Sequence, residues 1–125
     1  MYNKIFGELT YDFGFNSKIN IEIFERKNKV IVTAQAYRES DGISREQEDS
    51  FSKFKNNMHD IIGTVEDKII NNYGQHANSR FNLTTIVVDR QGELALIFDD
   101  KEDEDEGIVV QVFPKYIIQT QSSYL

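Results

Sequence analysis

The densest chemistry in the sequence is the run Asp99-Asp100-Lys101-Glu102-Asp103-Glu104-Asp105-Glu106, with seven carboxylates and one lysine. Its local charge is −6, nearly all of the chain's −7. Carboxylates can hold a hard cation such as calcium, or the divalent metals of a hydrolytic site. They can also steer a basic partner by long-range attraction. This run lacks the spaced ligands and central glycine of a calcium loop. Unspaced carboxylates repel one another and stay solvated. The expectation is therefore an exposed, mobile loop between two strands, with no cofactor and no metal. Its acids Asp99, Asp100, Glu102, Asp103, Glu104, Asp105 and Glu106 are the candidate partner-binding residues.

Other residues that could do chemistry are sparse. The two histidines, His59 and His76, form no metal-binding spacing. No serine lies in a Gly-x-Ser-x-Gly elbow. Isolated glycines at positions 7, 14, 42, 63, 74, 92 and 107 make no phosphate loop and read as turns, bulges or helix ends. The chain has no cysteine, which excludes a disulfide framework, a thiolate metal site and a cysteine nucleophile. No catalytic residue is assigned, and the chain reads as a non-enzyme. A metal-dependent hydrolase using carboxylates of the 99–106 segment is the alternative, beside an intracellular protein with a structural partner.

The elements that must carry these residues follow from periodicity. A chain of 125 residues suits one domain, here 1–125. Strands are expected over Ile5–Tyr11, Ile19–Phe24 and Val30–Tyr37, the last two joined by a turn at Arg26–Asn28. The pattern Ser44-x-x-Gln47 is a capping box. Behind it, Phe51, Phe54, Met58, Ile61, Ile62, Val65, Ile69 and Tyr73 recur at helical spacing. One amphipathic helix over about Arg45–Tyr73 is expected, with Gly63 a candidate bend and Gly74 its stop. Strands at Leu83–Val88, Leu94–Phe98, Ile108–Phe113 and Tyr116–Thr120 complete an order β-β-β-α-β-β-β-β. That order implies an α+β fold, an antiparallel sheet of six to seven strands with one long helix across one face. The N-terminus does not read as a signal peptide, and no segment is apolar enough for a membrane helix, so the cytoplasm is the expected compartment. Without a basic face, direct nucleic-acid binding is not expected.

Four local patterns occur together in order. They are Phe6-Gly7-Glu8-Leu9 with Tyr11; Ile43-Ser44-x-x-Gln47 followed by Phe51 and Phe54; Gly107-Ile108-Val109-Val110 after the acidic run; and the ending from Gln121 to Leu125. In this the chain resembles a group of uncharacterised bacterial domains. The resemblance implies a two-layer α/β sandwich and a place among suspected immunity proteins associated with polymorphic or contact-dependent toxins. The implied partner is a protein, a basic toxin domain met by the acidic loop. The resemblance carries no catalytic residues, and the oligomeric state is left open.

Overall fold

The computed structural model describes residues 1–124, so that Leu125, the end of the C-terminal pattern, lies outside the described residues. Its elements, in chain order, begin with three two-residue strands, β1 (Tyr2–Asn3), β2 (Gly7–Glu8) and β3 (Thr10–Tyr11). Two long strands follow, β4 (Phe15–Ile23) and β5 (Arg26–Ala34). A helical layer comes next: α1 (Arg45–Asn56), α2 (Met58–Tyr73) and α3 (Ala77–Arg80). Four strands complete the sheet, β6 (Phe81–Val88), β7 (Leu94–Asp100), β8 (Ile108–Phe113) and β9 (Ile117–Thr120). A last helical turn is α4 (Gln121–Tyr124). β1 and β2 pair with each other, and β3 to β9 form one seven-stranded sheet in sequence order. The fold is α+β.

Several expectations change. The strand expected over Ile5–Tyr11 is only the short β2 and β3, and the one expected over Val30–Tyr37 ends at Ala34. The single helix is two, because the chain leaves helical geometry at Asn57 (φ −120°, ψ 21°). There the Asn57 side chain donates to the Lys53 carbonyl at 2.9 Å, a local bond of the kind by which asparagine competes with the helix ladder. Gly63 lies inside α2, away from this break. The sheet is mixed, because β5 and β6 run parallel. The helical layer carries the chain from the end of β5 back to its starting end, so β6 must run the same way. The hairpin turn is also earlier than expected. It is Phe24-Glu25, both at positive φ (53° and 61°), while Arg26–Asn28 already belong to β5. A two-residue turn of this hand matches the strand twist. The Phe24 amide donates to the Glu66 carboxylate on α2 at 2.6 Å, which fastens the turn to the helical layer.

The apolar stripe reads as expected. Phe51, Phe54, Ile61, Ile62, Val65 and Ile69 are buried against the inner positions of the sheet, with Met58 and Tyr73 partly covered. Those positions alternate along each strand: Ile21 and Ile23, Val30 and Val32, Leu94, Leu96 and Phe98, Ile108 and Val110. The outer face of β4 and β5 instead carries Lys18, Asn20, Glu22, Lys27 and Lys29. The capping box forms as expected, with Gln47 N donating to Ser44 Oγ (3.1 Å) and Ser44 N to Gln47 Oε1 (2.8 Å). Gln47 is wholly buried, and its amide nitrogen also donates to the carbonyls of Gln35 and Val88. One side chain thus caps α1 and ties it to the ends of β5 and β6.

Candidate functional site

The acidic run joins β7 to β8, and its seven carboxylates divide into two groups. Asp99 and Asp100 are still within β7, which corrects their assignment to a loop, and Asp100 is only 6% exposed. The physical reason is strand phase: Asp100 follows Leu94, Leu96 and Phe98 at two-residue steps and points inward with them. Its charge is met by Arg80 at the end of α3 in a fork, Nε to Oδ1 at 2.8 Å and Nη2 to Oδ2 at 2.9 Å. The Glu102 amide adds a third donor at 2.9 Å. The Arg80 hydrogen bonds, with help from backbone amides and the guanidinium charge, outweigh burial and hold the Asp100 carboxyl below its ordinary range. The guanidinium also lies over the rings of Tyr73 and Phe81.

Of two further acids, Glu106 braces the turn and Glu102, more than half exposed, stays at ion-pair range. Glu102 approaches Arg80 Nε at 3.8 Å and His76 Nε2 at 3.7 Å. Glu106 accepts from the Ser122 hydroxyl (2.6 Å) and amide (2.9 Å), bonds that lower its pKa and hold α4 against the turn. Gly107 makes this possible, because a Cβ there would overlap the Gln121 side chain, which donates to the Phe98 carbonyl at 2.9 Å. The remaining acids, Asp99, Asp103, Glu104 and Asp105, face solvent. None of these four is in an ion pair among the described residues. No three acids or histidines among the described residues come together as a metal-binding group. His59 lies on α2, beside a cleft between that helix and the end of β4, far in sequence from the acidic turn. Among the described residues no helix is long and apolar enough to cross a membrane.

The opposite end of the sheet carries a second feature that the sequence reading passed over. The β3–β4 turn, the segment after β5 and the β6–β7 turn meet there around a cleft of about 400 Å³ lined by Tyr11, Phe13, Gln35, Ala36, Tyr37 and Arg90. Phe13 is 95% exposed and Tyr37 98% exposed. Phe13 also has φ +56°, a left-handed conformation that disfavours a bulky side chain. The floor is well ordered by bonds. Tyr11 donates its hydroxyl to the Ala36 carbonyl, and Arg90 donates to the Gly42 carbonyl (2.6 Å) and to Gln47 Oε1 (3.2 Å). The available signal was an aromatic beside a glycine in a turn, Phe13-Gly14, and another just past a strand end, Tyr37. Neither fits the alternation of a buried face.

No curated protein and no solved structure matches the chain. Residues 5–103 match the family described as a domain of unknown function, DUF6985, and the chain belongs to that family.

Proposed function

We propose that this chain is a non-enzymatic protein-binding domain. The observation that carries the reading is the pair of fully exposed aromatics, Phe13 and Tyr37, on the rim of one cleft. Large aromatics beside an arginine are the composition of binding hot spots. Holding Phe13 in left-handed backbone costs stability that a glycine or asparagine would not, and such strain gathers at functional positions. The test is affinity capture from the source cells with wild type and a Phe13→Asn/Tyr37→Ala variant. A partner retained by wild type and lost from a folded variant supports the reading. Retention of the same proteins by both sinks it.

A narrower form of the reading makes the chain an immunity protein whose partner is a basic toxin domain. Its support is the acidic turn at the other end, where Glu102, Asp103, Glu104 and Asp105 face outward on a scaffold braced by Asp100 and Glu106. In the same reading the sheet and its helical layer form a two-layer sandwich that leaves both ends free for contact. A metal-dependent hydrolase has less support, because Asp100 and Glu106 already engage their oxygens with Arg80 and Ser122.

A further inference from the structure

The sheet has an open edge whose side chains are arranged to pair with themselves. β3 covers β4 only at Asn16 and Phe15. From Ser17 to Ile23, β4 pairs with β5 on one side and with no strand on the other among the described residues. Two clefts lie along this edge, one of about 270 Å³ between Lys4–Gly7 and Ser17–Ile19 and one of about 710 Å³ between Glu22–Ile23 and α2. An open edge of this length presents a row of backbone donors and acceptors to any extended chain.

The exposed residues along it are Lys18, Asn20 and Glu22. The midpoint of the open stretch is Asn20, which is also the midpoint of the charge pattern. We propose that β4 pairs antiparallel with β4 of a second copy of this chain, about a two-fold axis at Asn20, giving one continuous sheet through two protomers. Residues directly opposite in such a pair share a face. Lys18 then meets Glu22 of the other copy, Glu22 meets its Lys18, and Asn20 meets Asn20. On the inner face Ile19, half-buried in one protomer, meets Ile21. The isologous geometry forms every contact off the axis twice. The charges also select the register. Centring the pair on residue 18 sets lysine against lysine, and centring it on residue 22 sets glutamate against glutamate. The strand stops at the turn Phe24-Glu25 just where β3 begins on the other copy, so the two free stretches fit end to end.

Sedimentation equilibrium on the full chain tests this. Wild type should show a concentration-dependent dimer, weak because an edge-to-edge contact is small. Lys18→Glu and Glu22→Lys each place two like-charge pairs at the axis and should weaken dimerisation by about tenfold or more. The two single variants mixed together should associate with each other, since positions 18 and 22 are both acidic in one chain and both basic in the other. The double variant Lys18→Glu/Glu22→Lys should dimerise like wild type. A discrete heterodimer on mixing requires both strands to be folded, so an unstable single variant, which aggregates instead, does not blur the result. A wild type that stays monomeric at about 0.5 mM overturns the proposal, as does a dimer that neither single variant weakens or that mixing and the double exchange fail to restore.

Discussion

Asp100 and Phe13 are the residues whose surroundings depart most from their type. Asp100 is an acid from a solvated run that the strand turns inward, and Arg80 meets it with two bonds at 2.8 and 2.9 Å. Asp100→Ala leaves that guanidinium partly buried with only Glu102 nearby, and should lower unfolding free energy by about 2–3 kcal/mol in urea titrations. Arg80 bonds hold the folded pKa of Asp100 below its unfolded value. Its contribution is therefore complete above the unfolded carboxylate pKa and is lost as pH falls through the folded one. Stability measured from neutral pH downward should fall less steeply in Asp100→Asn than in wild type over that acid range. Parallel curves would show that the pair contributes nothing to acid unfolding. Phe13 is the reverse case, an apolar side chain in water on left-handed backbone. Phe13→Asn should raise stability by about 1 kcal/mol, because asparagine tolerates that conformation and nothing buried is lost. A loss of stability would mean that the ring packs usefully in the free protein, and the argument from strain would fail.

Among the elements, legibility tracked the range of the forces involved. The apolar stripe and the capping box are local, so Phe54, Val65, Ser44 and Gln47 take the roles that their spacing implies. The interruption at Asn57 was hidden because the stripe continues through it: Phe54, Met58 and Ile61 keep helical spacing across the break. The parallel pairing of β5 with β6 depends on where two distant segments meet, which periodicity does not record. Gln47 shows the same division. Its place at the third position of the cap was readable, but its donation to Gln35 and Val88 was not. Phe54→Ala should cost about 3–5 kcal/mol, as for a fully buried aromatic. Gln47→Ala should cost about 1–2 kcal/mol, since the cap is lost and the carbonyls of Gln35 and Val88 each lose one of their two donors. Equilibrium denaturation gives both, and a Gln47→Ala loss within about 0.5 kcal/mol would reduce the side chain to an ordinary cap.

At the scale of the whole molecule, the two proposed contact surfaces lie at opposite ends of the strands. β5 and β6 run parallel, so the turn after β7 sits beside their starts and the aromatic cleft beside their ends. The acidic run was legible as a concentration of charge, but composition could not separate its scaffold from its surface. Strand phase marks Asp100, and only the folded chain brings Ser122 to Glu106. What remains outward is Asp99, the half-exposed Glu102 and the consecutive group Asp103, Glu104 and Asp105. Those three repel one another without any partner among the described residues to offset it. The amide variant Asp103→Asn/Glu104→Gln/Asp105→Asn should leave the melting temperature unchanged or slightly raised, because no side-chain contact of the fold is lost. A basic partner gains from the same repulsion, because its approach relieves it. Association with a partner retained by the wild-type chain should be fast, should slow as salt is raised, and should slow in the amide variant with little change in dissociation. Stopped-flow association at low and high salt, on both proteins, separates these effects. Equal rates with no salt dependence would assign the acidic turn to solubility and leave binding to the aromatic end. There, loss of Phe13 should speed dissociation rather than slow encounter, because buried apolar contact acts on the lifetime of a complex.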